Sequence, residues 1–128
     1  EVILKEQGLS NAMKKSGRET SEGVIQSYIH AGNKIGAMVE LRCETDFVAR
    51  TEEFIELTKD LAMQVAAMSP NYIYPDDNGA DNASDEEILI LQSFIKDPSL
   101  TIEEMIKSMI SKVGENIKVS KIIKFDLS

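Results

Sequence analysis

The sequence offers little of what catalysis needs. It contains one cysteine, Cys43, and one histidine, His30. A single thiol excludes an intrachain disulfide framework and any cysteine-rich zinc site, and it suits a reducing compartment. Cys43 lies on the apolar side of an alternating run and reads as a small core residue rather than a reactive thiol. His30, with no nucleophile beside it, is a poor candidate for a general base. No Gly-x-x-x-x-Gly-Lys-[Ser/Thr] loop is present, so a nucleoside triphosphate is not bound by that route. Cations are also scarce: 14 Lys and Arg stand against 22 Asp and Glu, a net charge of −8. Phosphate binding needs clustered Lys and Arg, so neither nucleic acid nor an anionic membrane is expected as the main partner. No apolar run approaches a membrane span, and no signal-peptide pattern opens the chain. These absences leave no cofactor, no metal and no catalytic residue to assign.

What is there is the composition of an ordinary globular domain, 128 residues with 42% hydrophobic and 28% charged. That length gives one domain with a real core. The chain opens at Glu1 inside a helix-like pattern (Val2, Ile3, Leu4, Leu9, Ala12, Met13), so its natural N-terminus is expected further upstream. Lys14, Lys15 and Arg18 suit a helix C-terminus, with Gly17 as the stop. Residues 1–18 are thus read as the tail of a helical segment and a linker.

Strands are expected at 23–30, 35–43 and 117–127. Ile35, Ala37, Val39, Leu41 and Cys43 alternate with Met38, Glu40 and Arg42, the period of a strand covered on one side. Between the first two runs, Gly32 and Asn33 tolerate the positive φ of a tight turn. At the C-terminus Ile117, Val119, Ile123, Phe125 and Leu127 alternate with Lys118, Ser120, Lys124 and Asp126. Helices are expected near 52–68 and 102–113. Thr51 caps the first, and Phe54, Leu57, Leu61, Val65 and Met68 form its stripe up to Ser69-Pro70. Thr101 and Glu104 form a capping box for the second, which stops at Gly114. Residues 71–87, rich in Asp, Asn and Gly, read as a solvated acidic loop. They fail as a calcium loop, because with Gly79 at the sixth position Tyr74 and Asp85 fall where Asp and a bidentate Glu are required. The fold class is therefore α+β, a three-stranded, mostly antiparallel sheet with helices on one face.

Around Cys43-Glu44-Thr45-Asp46-Phe47-Val48-Ala49-Arg50 the pattern places an aromatic ring and a carboxylate at the junction of a strand and a helix. A Phe at such a polar junction is either a core anchor or a hot spot for a partner, and the pattern alone leaves both open.

The same stretch, with Ser21-Glu22-Gly23, Tyr28-Ile29-His30, Leu61–Ala67, Phe94-Ile95-Lys96-Asp97 and Gly114–Val119, closely resembles translation elongation factor Ts. The resemblance runs over nearly the whole chain in the family's order. It implies guanine-nucleotide exchange on elongation factor Tu, with Thr45, Asp46, Phe47 and Val48 as the residues that meet the partner. In that family the Phe is inserted between two helices of the partner and disturbs its magnesium and phosphate site, so that GDP leaves. The resemblance assigns 19–128 to the family's core domain. It also marks two departures, a short N-terminal part and only the acidic loop where longer members carry a further helical region or a second core subdomain. A short member is expected to dimerise and to reside in bacterial cytoplasm or an organelle's stroma or matrix. The alternative is an interaction module that keeps the fold without promoting exchange.

Overall fold

The computed structural model describes residues 15–127, so the apolar pattern read between Val2 and Met13 lies outside the described residues. Strands β1 (Glu22–Ile29) and β2 (Ile35–Cys43) form an antiparallel hairpin. Its connection turns through Gly32 at φ 98° and Asn33 at φ 61°, the left-handed conformations that these two residue types accept most readily. A one-turn helix α1 (Asp46–Ala49) and the long helix α2 (Glu52–Met68) follow β2 directly. Beyond a turn-rich stretch come two short 3₁₀ turns at Asp85–Glu87 and Leu89–Leu91. A small hairpin follows, β3 (Ser93–Phe94) with β4 (Asp97–Thr101), then α3 (Ile102–Val113) and β5 (Lys118–Asp126). β5 pairs antiparallel with β2, giving the order β1-β2-β5 with β2 central.

The helices begin and end where side-chain chemistry requires. The Thr51 hydroxyl accepts from the Phe54 N–H at 3.3 Å, and Glu52 and Glu53 sit at the positive end of α2. Ser69, at φ 52°, closes that helix ahead of Pro70. At α3 the box is complete: the Glu104 N–H donates to Thr101 Oγ1 at 3.1 Å, and the Thr101 N–H donates to Glu104 Oε1 at 2.9 Å. Gly114, at φ 77°, ends it.

α2 packs on β1 and β2. Its Phe54, Leu57, Leu61, Ala62 and Val65 join Ala37, Val39, Leu41 and Cys43 of the central strand in one cluster. Met68, counted in the apolar stripe, faces solvent instead. α3 packs against the Leu89–Leu91 turn and β4, adding Ile102, Ile106 and Ile110 to the same core. One buried polar side chain ties these parts together. Gln64 of α2 donates to Gln92 Oε1 at 3.1 Å and to the Ser93 carbonyl at 3.0 Å, and its own oxygen accepts from the Ile95 N–H at 3.0 Å. Both its amide N–H groups and its oxygen thus find partners in the Gln92–Ile95 segment, which makes a buried amide tolerable.

Besides Met68 and the β3–β4 hairpin, which the patterning did not anticipate, two further features depart from the sequence-based expectation. The alternation over residues 117–127 assigns Ile117, Val119, Ile123, Phe125 and Leu127 to a single side. A bulge breaks it: Glu40 faces Lys121 while Leu41 faces Val119, so Ser120 is an extra residue in β5. Val119 stays inside, but beyond the bulge Ile122 takes the inward position and Ile123, Phe125 and Leu127 turn outward. They meet Ile25, Ile29 and Met38 on a sheet face that neither α2 nor α3 covers. The second concerns the acidic loop at 71–87, which is not solvated throughout. Asp77 accepts from the Ile73 and Tyr74 N–H groups, Tyr72 to Tyr74 pack against the core, and the Val119 N–H beside the bulge donates to the Tyr74 hydroxyl at 2.9 Å. Burial raises the pKa of that phenol.

Candidate functional site

The Cys43–Arg50 junction is a strand end, a two-residue step and one turn of helix. Cys43 is fully buried, and its thiol donates to the Thr45 carbonyl at 3.2 Å. Burial, with the negative charge of Glu115 nearby, pushes that thiol up to about 11, so it is not a nucleophile at neutral pH. Thr45 caps α1 by accepting from the Val48 N–H at 3.3 Å. Asp46 opens the turn, and Arg50 pairs with it one turn later at 2.5 Å. That pair is exposed and contributes little stability.

α1 has two sides. Val48 and Ala49 point into the core, whereas Phe47 leaves 71% of its surface exposed. Thr45 and Asp46 are also exposed. Of the four residues expected to meet a partner, three form one surface and Val48, at 8% exposure, lies beneath them. In the chain by itself Val48 packs into the core and holds the turn down. The arrangement is a protruding aromatic ring, flanked by a carboxylate and fixed from below. Among the described residues, no group of side chains there could hold a metal.

The junction is fastened by residues some 70 positions away, which the sequence pattern did not single out. Glu115, just past the end of α3, accepts with Oε1 from the Glu44 N–H at 3.1 Å and the Thr45 N–H at 3.0 Å. Its Oε2 accepts from the Thr45 hydroxyl at 2.6 Å. In return, Glu44 Oε2 accepts from the Asn116 N–H at 2.5 Å. The Asn116 amide donates to the Ser16 and Arg18 carbonyls at 3.3 and 2.8 Å, and the Arg18 guanidinium lies 3.5 Å from Glu44. The local signal was a charged residue after a helix stop, which reads as an ordinary surface position. Only the resemblance of Gly114–Val119 to the family drew notice to it.

Comparison with known proteins agrees with the resemblance. Residues 10–89 match the family described as Elongation factor TS. Elongation factor Ts of Desulfosudis oleivorans is 38% identical over an alignment of 157 positions that covers 98% of this chain and 79% of the relative. That of Thermosipho melanesiensis is 41% identical, covering 96% and 79% respectively, and that of Methylacidiphilum infernorum 40%, covering 99% and 78%. With 128 residues here, at least 29 of the 157 positions aligned with the first relative hold a residue in that protein and none in this chain. The match to the family's model and to these relatives across nearly the whole sequence shows that the chain belongs to the elongation factor Ts family.

Proposed function

We propose that this chain is a guanine-nucleotide exchange factor that releases GDP from elongation factor Tu by inserting Phe47 into it. Family membership supports a role in translation elongation. The observation that carries the finer reading is the ring of Phe47, 71% exposed on a turn anchored by buried Val48 and Ala49. Large apolar side chains are normally inside, and one held out on a rigid base is suited to a hot-spot contact.

The mechanism makes and breaks no covalent bond. Burying the ring in the partner is favourable, and it is coupled to a partner conformation with a disturbed magnesium and phosphate site. Asp46 and Thr45 contribute polar contacts at the rim, and Val48 acts from beneath. The factor accelerates release because it binds the nucleotide-free partner more tightly than the GDP-bound one. By linkage GDP weakens the factor's own binding by the same factor.

Release of a fluorescent GDP from elongation factor Tu, with the chain and with its Phe47→Ala variant, tests this. Acceleration that collapses in the folded variant is expected. Binding without acceleration would favour the interaction-module reading. Equal acceleration by both proteins would remove Phe47 from the mechanism.

We further propose that the open face of the sheet is covered by a second copy of the chain. Ile25, Ile29, Met38, Ile123, Phe125 and Leu127 stand exposed there. The charges of this face, Glu40 bonded to Arg42 with Lys121 and Lys118 opposite them, gather at one end and leave Ile29, Met38, Ile123, Phe125 and Leu127 as an uncharged patch. Stacking two such faces gives a two-layer sandwich with a two-fold interface. Sedimentation analysis is expected to show a dimer that Phe125→Glu dissociates. A monomer at all concentrations would overturn this part alone.

A further inference from the structure

We propose that Glu115 is the positioning residue of the Phe47 wedge: its carboxylate, reaching across from the end of α3, sets the direction in which α1 presents the ring. The inference rests on the exchange reading above. Between the last residue of β2 and the first of α1 lie only Glu44 and Thr45, whose N–H groups point at neither strand nor helix carbonyls. Both donate to one oxygen of Glu115, and the Thr45 hydroxyl donates to the other. With its proton committed there, Thr45 Oγ1 offers a lone pair to the Val48 N–H and so caps α1.

A four-residue helix has no stability of its own, because a first turn fixes many dihedrals for a single hydrogen bond. α1 must be oriented from outside. Val48 and Ala49 anchor its underside, the Cys43 thiol holds the Thr45 carbonyl and Thr51 binds the Val48 carbonyl behind it, which leaves the N–H side of the strand–helix step to be held. Glu115 holds it with three converging donors, and such bonds to a charged acceptor are roughly twice as strong as neutral ones. The reciprocal bond from the Asn116 N–H to Glu44 makes the clamp two-sided. Asn116 and Arg18 then extend it to the segment entering β1. A wedge works only if it is ordered before it meets the partner, since ordering it during binding subtracts from affinity. Freeing one residue of the step costs on the order of tenfold, from the entropy of one fixed backbone position.

The test compares the full chain with Glu115→Ala, Glu115→Gln, Phe47→Ala and the Glu115→Ala/Phe47→Ala double variant. Release of fluorescent GDP from elongation factor Tu and amide hydrogen exchange of the free chain are read in parallel. Glu115→Ala is expected to lower the acceleration about tenfold or more. In the free chain it is expected to speed exchange at Glu44, Thr45 and Val48 while the Leu61 amide keeps its protection. Glu115→Gln, which retains one acceptor oxygen for the two N–H groups, is expected to fall between. It remains informative if the alanine variant folds poorly. The double variant should lose far less than the two single losses combined, because Glu115 acts mainly through that ring and otherwise only through the rim residues of the same turn. A Glu115→Ala chain with full acceleration, or losses that add in the double variant, overturns the positioning role and leaves exchange by Phe47 intact. No acceleration by the unaltered chain defeats the exchange reading itself, and the positioning role with it.

Discussion

Phe47 and Phe54 are the same residue type seven positions apart, and the fold gives them opposite destinations. Phe54 is fully buried beneath α2, while Phe47 is 71% exposed on α1. Replacing each by alanine should therefore separate stability from binding. For Phe54 the lost transfer free energy and the cavity left behind amount to about 3–5 kcal/mol, a large part of the roughly 5–15 kcal/mol that holds a domain folded. For Phe47 only the covered 29% of the side chain counts. Taking about 1.5–3 kcal/mol for burying a whole Phe, its removal should cost no more than about 0.4–0.9 kcal/mol. With the ring buried in elongation factor Tu, as proposed above, the remaining 71% is worth about 1–2 kcal/mol on the same scale, or roughly 5- to 40-fold in affinity. Urea unfolding of the two variants at one protein concentration reads the first pair of numbers from the midpoints, provided the slope is unchanged. Titration onto nucleotide-free elongation factor Tu reads the last. A Phe47→Ala chain destabilised by 2 kcal/mol or more would mean that the ring is packed in solution, and the wedge argument would fall with it. A Phe54→Ala chain that loses less than about 1 kcal/mol would refute the placement of α2 on the sheet.

Gln64→Leu keeps the volume but leaves the Ile95 N–H, the Ser93 carbonyl and Gln92 Oε1 without their partner; a loss of about 2–4 kcal/mol is expected by urea unfolding, with faster amide exchange at Ile95, and a loss below about 1 kcal/mol would refute it. The Cys43 thiol, raised by burial from 9.0 to about 11, is neutral in the folded chain and ionised in the unfolded one between those values. Its contribution is thus fully present below about pH 9 and is lost as pH rises to about 11, in all about 2–3 kcal/mol. Melting temperature against pH should flatten over that range in Cys43→Ala, apart from the share of Tyr74, and an unchanged slope would refute the assignment. At Gly23 an added Cβ would lie 2.2 Å from the Leu41 carbonyl oxygen and 2.8 Å from the Arg42 Cα. Gly23→Ala should therefore lift the start of β1 from β2, costing about 1–3 kcal/mol with deprotected β1 amides, whereas a neutral substitution would contradict the pairing register.

The parts of the fold that were legible in the chain are those whose cause is local. Thr51, Thr101 with Glu104, Gly114 and Ser69-Pro70 each mark a helix end within a few residues of the group that needs satisfying. The alternation of Ile35 to Cys43 marks a strand with one covered side for the same reason. The junction at Thr45 to Phe47 was legible as a turn ahead of a helix, but the pattern alone left open whether Phe47 points in or out. That choice belongs to Val48 and Ala49, which take the inward positions of the turn and leave the ring none.

Features that depend on residues far apart in sequence were not legible in this way. The bulge at Ser120 arises from pairing against Glu40 and Leu41, eighty positions earlier, and a single extra residue reverses the face of everything after it. Periodicity could therefore place β5 but could not say that Ile123, Phe125 and Leu127 lie on the open face. Tyr72 to Tyr74 sit in an acidic, glycine-containing stretch that reads as solvated, yet they are drawn inward because Val119 offers its N–H to Tyr74. The clamp of Glu115 on Glu44 and Thr45 has no periodicity at all. Local pattern suffices for the three main strands, the two long helices, their caps and the family, but not for the β3–β4 hairpin or the 3₁₀ turns. Which side chains those elements turn toward one another, and so how Phe47 is held, was decided by close packing and hydrogen-bond satisfaction in three dimensions.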